Sequence, residues 1–98
     1  AFAAAARLAP RDPEAQVAAA VGLYDKDHPE RAFGRLGPLV RSFPHAQTVR
    51  FHLGLLLIYL RQFPQARREL ALAVAEGPRT RLGERARVLL RASRRRQD

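Results

Sequence analysis

The sequence predicts an all-α fold built from a helix-turn-helix repeat, and three observations carry that prediction. Of the 98 residues 18 are Ala, Leu is frequent, and 17 of the 18 basic residues are Arg, Lys26 being the exception. Ala, Leu and Arg are strong helix formers, and β-branched residues are too sparse to pattern a sheet. The chain is also self-similar at one interval. Pro10, Pro44 and Pro78 are each 34 residues apart, and the same step relates Ala32 to Ala66, Leu36 to Leu70, Leu23 to Leu57 and Val40 to Val74, with Phe2 one step before Leu36. A fixed period of this length marks repetition of one supersecondary unit. Thirdly, residues that open and close helices recur within each copy.

Taken in order, Ala1 to Leu8 is an Ala-rich stretch in register with the second helix of a unit, so residues 1–10 read as half of a truncated repeat. Asp12-Pro13-Glu14 combines an N-cap, a proline at the first helical position and an acid near the positive helix end, which predicts a helix from Pro13 to about Tyr24. A polar turn follows at Asp25 to His28, and Pro29 opens a second helix toward Ser42. Gly37-Pro38 falls inside that helix, where proline removes a backbone donor and clashes one turn back, so a kink is expected. Residues 13–44 thus form one full unit. The second, 47–78, repeats the arrangement: a helix from about Ala46 to Leu60, a turn at Arg61-Gln62-Phe63, and a helix from Pro64 to Glu76 closed by Gly77-Pro78. A capping helix over 80–94 places Leu82, Ala86, Leu89 and Ser93 on one stripe, and residues 95–98 end in a frayed tail that begins near Ser93. The expectation is a single domain of about five antiparallel helices over 1–98. Small residues at Ala20, Ala32, Gly54, Ala66 and Ala73 let helices approach closely while Leu36, Leu57 and Leu70 fill the interior.

The second copy carries the fuller pattern, Leu53-Gly54, Leu57, Phe63, Ala66, Leu70, Ala73 and Pro78, and it resembles the tetratricopeptide repeat. The resemblance spans about two full repeats and the flanking half-repeats. Arg50 stands at the consensus Trp, Leu70 at a later aromatic, and Ala19-Ala20 replaces Leu-Gly in the first copy. It implies a solenoid, an α-α superhelix, whose first helices line a concave groove that holds a peptide or extended segment of a partner protein. Carried onto this sequence, the groove residues are Glu14, Val17, Val21, Tyr24 and Asp25 from the first unit and Thr48, Phe51, Leu55, Ile58 and Tyr59 from the second. The last helix adds Leu82, Arg85 and Leu89. Such an apolar strip with aromatic anchors concentrates binding energy. The residues also admit a second reading, in which the aliphatics are core, because the helix over 46–60 is hydrophobic almost all round. Chaperone-docking members of the family grip a C-terminal carboxylate with Lys, Arg and Asn; this chain has no Asn, and that clamp is not expected. The expected partner is a hydrophobic helix or extended segment of another protein. Homodimer pairing through the N-terminal half-repeat is the accompanying expectation, because that half lacks its natural neighbour.

Charge supplies a rival surface. The chain carries a net charge of +9, distributed as +2 over residues 1–60 and +7 over 61–98. Arg87, Arg91 and Arg94 lie away from the apolar stripe of the last helix and form a candidate anion-binding face, since basic residues that neutralise phosphates release counterions. No aromatic follows Phe63, so base stacking has no platform there and nucleic acid is the lesser expectation. The absence of Cys removes disulfides, Cys-based zinc sites, iron–sulfur ligation and thiol nucleophiles. His28, His45 and His52 lack metal-ligand spacing, no Ser or Thr has a partnered base, and the glycines are scattered. Neither an enzyme nor any cofactor or metal is expected. The longest apolar run, Leu53 to Leu60, is far shorter than the ~20 residues of a membrane-spanning helix. With no initiator Met and Ala1 already inside an apolar stretch, the chain reads as a piece of a longer protein, and no compartment signal is legible beyond a cytoplasmic default.

Overall fold

A computed structural model describes residues 2–95. Seven helical segments follow one another: α1 (Phe2–Leu8), α2 (Pro13–Val21), α3 (Glu30–Leu36), α4 (Leu39–Ser42), α5 (Gln47–Tyr59), α6 (Phe63–Glu76) and α7 (Arg81–Arg95). No strand occurs among the described residues, so the molecule is all-α there. The number of helices is a correction. Six form if α3 and α4 are taken as one interrupted helix, against about five expected, because the truncated half-repeat at the start adds α1 to them.

The 34-residue step of the sequence returns in the element boundaries. α2, α5 and α7 begin at 13, 47 and 81, while α1, α4 and α6 end at 8, 42 and 76. Each start has a local cause. Asp12 sits in extended backbone and its carboxylate accepts the Glu14 N–H at 3.0 Å, with Pro13 at the first helical position. Thr80 does the same for α7, its hydroxyl accepting the Gly83 N–H at 3.0 Å. α2 ends at Val21 rather than about Tyr24, since Leu23 and Tyr24 already bond three residues back, to Ala20 and Val21, in a tighter turn. At Gly37-Pro38 the expected kink is a full break between α3 and α4, bridged by Gly37 N–H to Phe33 O at 2.8 Å and Arg41 N–H to Pro38 O at 3.1 Å.

The α5–α6 turn closes on a Schellman pattern. Gln62 N–H reaches Leu57 O at 2.8 Å and Arg61 N–H reaches Ile58 O at 2.9 Å, with Arg61 itself at φ 59°. An arginine thus occupies the left-handed position that glycine usually takes.

Two clusters of buried side chains meet at α5. Val17, Ala20, Ala32, Leu36, Val49 and Leu57 belong to the first, which draws on α2 to α6, and Phe51, Leu70, Ala73 and Ala86 make the second with α6 and α7. Ile58 packs on both. α1 touches only α2; α2 touches α3, α4 and α5; α5 touches α6 and α7; α6 touches α7. No contact joins α2 to α6 or α7, so each element meets only near neighbours along the chain.

Polar links fix this arrangement. Gln47 donates from its amide nitrogen to Ala73 O and Gly77 O at 2.8 and 2.9 Å, satisfying carbonyls at the end of α6, and its Oε1 lies 2.7 Å from the Thr80 hydroxyl at the start of α7. Arg50 pairs with Glu69 of α6 at 2.8 Å, both members of the ion pair being largely enclosed, and donates to Pro44 O. Gly54 lets α6 approach: a Cβ there would lie 2.8 Å from Leu70 Cγ and Cδ2.

Candidate protein-binding groove

The groove is set by how α2 and α5 lie together above α3. Val21 and Tyr24, at and just beyond the end of α2, face His52, Leu55, Leu56 and Tyr59 of α5 across a cavity of about 590 Å³, with Ala32 and Leu36 of α3 also lining it. At its mouth the rings of Tyr24 and Tyr59 have centroids 5.8 Å apart, tilted by 43°. Both rings are exposed, 42% for Tyr24 and 60% for Tyr59. A tilted pair of this kind holds two large aromatic faces in water without burying either.

A second hollow of about 440 Å³, lined by Glu14, Val17, Ala18, Val21, Gly22 and His52, adjoins the first through Val21 and His52. His52 is therefore the polar group common to both. Its Nδ1 lies 2.8 Å from Thr48 O, so in the neutral ring this nitrogen carries the proton and Nε2 remains an acceptor. The Thr48 hydroxyl in turn donates to Glu14 Oε1 at 3.3 Å, tying α5 to α2 at the far end of the strip.

The residues expected in the groove divide. Val21, Tyr24, Leu55 and Tyr59 come together around the larger cavity. Phe51 does not: it is 1% exposed, sealed between Leu70, Ala73 and Ala86, and covered by the Arg85 guanidinium 5.0 Å above its ring. Val17 and Thr48 are buried as well, and Ile58 is half-buried between the clusters. Leu82 and Leu89 pack on the second cluster, so the apolar stripe of α7 is core rather than groove wall. The physical reason is rotation about α5. Positions 48, 52, 55 and 59 share the stripe on the α2 side, with Leu55 also packed on the second cluster, whereas Phe51 turns toward α6 and α7 and Ile58 packs on both clusters. That 4-3-4 spacing was the signal that singles out His52, which the sequence reading passed over along with Ala32, Leu36 and Leu56. Asp25 lies outside both hollows; its carboxylate accepts the Asp27 N–H at 2.9 Å and shapes the turn after Tyr24.

On the candidate anion face, Arg91 and Arg94 are exposed, and Arg87 is half-buried with a bond to Pro78 O at 3.3 Å. The tail expected from Ser93 is helix through Arg95: Ser93 is buried, its hydroxyl donates to Leu90 O at 2.8 Å, and Arg67 of α6 donates to its carbonyl at 3.2 Å. Residues 96–98 of that tail lie outside the described residues. Among the described residues no three His, Asp or Glu side chains gather as a metal site, and no helix is long and apolar enough to cross a membrane. Comparison with protein-family models, with curated proteins and with solved structures finds no match to this chain.

Proposed function

We propose that this chain is a tetratricopeptide-like helical-repeat module that recognises a protein partner without catalysis, taking an apolar helix or extended segment into the groove between α2 and α5. The observation that carries the reading is the exposed Tyr24–Tyr59 pair at the mouth of the 590 Å³ apolar cavity. Aromatic side chains bury large rigid area at low entropic cost, and aromatic anchors at the mouth of an apolar hollow are where binding energy concentrates. The recurrence of helix starts at 13, 47 and 81, and the restriction of contacts to near neighbours, support the repeat-solenoid reading. Hydrogen-bonding chemistry in the groove is limited to two phenols, one imidazole and the Glu14 carboxylate, which suits orientation of a bound segment.

The test is selection from a random peptide library on the wild-type chain, followed by binding to a Tyr24→Glu/Tyr59→Glu variant of unchanged circular dichroism. Enriched peptides should carry aliphatic or aromatic residues at helical or alternating spacing and bind the variant at least about tenfold more weakly, a loss of about 1.4 kcal/mol. Equal binding to both proteins would defeat the reading. Pairing of two copies through α1, where Leu8 is 87% exposed, is the competing occupation of apolar surface. A mass that doubles with concentration and reverts in Leu8→Glu would favour it.

A further inference from the structure

α7 is divided into two unlike faces. Ala86 belongs to the second cluster, Leu82, Leu89 and Leu90 lie against it, Ser93 is buried, and Gly83 abuts Gly77 so closely that a Cβ would overlap the Gly77 carbonyl. The opposite side is charged or small except for Val88, which is 61% exposed. Between residues 79 and 95 the sequence holds seven arginines and one acid, Glu84. Arg81, Arg85, Arg91 and Arg95 are all exposed, Arg85 at the edge of the face with its guanidinium 5.0 Å over the Phe51 ring, and Arg91 and Arg95 flank Val88 and Ala92 around a shallow hollow of about 190 Å³. The acids of neighbouring α6 are engaged elsewhere, Glu69 with Arg50 at 2.8 Å and Glu76 with His45 at 2.9 Å.

Helix stability accounts for only part of this charge, since Arg94 and Arg95 lie in the last turn of α7, where a cation favours the helix dipole. Arg81 and Arg85 lie in the first turns of α7, where a cation opposes the helix dipole, and the steps 81 to 85, 87 to 91 and 91 to 95 set like charges four apart, each mildly unfavourable. A ridge of arginines about 21 Å long, at 1.5 Å per residue, matches a ligand that presents negative charge repeatedly along a line. Bilayer insertion is a poor match, because the leucines an interfacial helix would bury in lipid are already packed inside the protein. A single-stranded nucleic acid fits no better, since no aromatic follows Phe63 to stack its bases. A duplex keeps its bases stacked on each other and offers one phosphate charge per about 1.7 Å of axis, which arginine's planar fork can grip in pairs.

We propose that the outer face of α7, through Arg81, Arg85, Arg91 and Arg95, binds the phosphate backbone of double-stranded nucleic acid without regard to sequence. This face is separate from the α2–α5 groove and its binding does not depend on the groove reading. The probe is an end-labelled, random-sequence DNA duplex followed by fluorescence anisotropy across salt concentrations. With about four phosphates neutralised, log affinity should fall with log salt at a slope near −3.6, roughly a 150-fold loss between about 50 and about 200 mM. Arg81→Gln/Arg91→Gln/Arg95→Gln should lower the slope to about −1 and weaken binding at every salt concentration, while the matching Lys variant should keep the wild-type slope. Tyr59→Ala should leave duplex binding unchanged. Absence of binding at the lowest salt, equal affinity of the Gln variant, or capture by phosphatidylserine vesicles with none by the duplex would each overturn the proposal.

Discussion

Glycine to alanine is one chemical change, yet it should have opposite outcomes at three positions of this molecule. At Gly34 of α3 nothing lies within 4 Å of a new Cβ, so the gain in helix propensity, up to about 1 kcal/mol, goes uncontested and stability should rise. Gly54 would gain the same propensity but press on Leu70 at 2.8 Å, including its branched Cγ and, at 3.3 Å, its backbone nitrogen. Overpacking of about 1–3 kcal/mol wins, and the variant should be less stable. Gly83→Ala should cost most, because the obstacle is the Gly77 carbonyl, which also accepts from Gln47. Arg61→Gly should act in the other direction, stabilising by up to about 1 kcal/mol by relieving a left-handed arginine. Urea midpoints of the four variants would check the order. Phe51 and Tyr59 give a second contrast on one helix: Phe51→Ala should cost about 3–5 kcal/mol of stability, whereas Tyr59→Ala should stay within about 1 kcal/mol and act on binding. If the two cost the same, the assignment of Phe51 to core and Tyr59 to groove fails.

At the level of elements, α5 is the axis on which both clusters turn, and Gln47 at its start holds the junction of α6 and α7. Gln47→Leu removes a donor from two carbonyls and a partner from Thr80; at about 1–3 kcal/mol for polar groups left unsatisfied, hydrogen exchange of α7 should accelerate more than that of α2. Uniform acceleration across both helices would contradict a local role. The boundaries of the elements were largely legible in the sequence, because Asp12-Pro13, Pro64 and Gly77-Pro78 impose their own geometry wherever the rest of the chain lies. The face that α5 turns toward α2 was not. Its side chains are apolar on nearly every side, so periodicity leaves its rotation open, and only the neighbours supplied by α6 and α7 decide that Phe51 is enclosed. Gln47 gave no signal at all: its role depends on carbonyls 26 and 30 residues away.

For the molecule as a whole, the 34-residue period was legible and recurs in the helix boundaries, while the groove was legible only in part, through Val21, Tyr24, Leu55 and Tyr59. His52 and the floor residues Ala32 and Leu36 were hidden because a cavity is a property of three helices together. The asymmetry of charge and the apolar groove give the molecule two unlike surfaces, one apolar between α2 and α5 and one cationic along α7. The most direct test of the groove is an NMR titration of the isotope-labelled chain with a peptide selected as above. Amide shifts should concentrate at Val21, Tyr24, His52, Leu55 and Tyr59, with α7 quiet. Shifts confined to Arg81 through Arg95, or spread evenly over the chain, would contradict recognition through the α2–α5 groove.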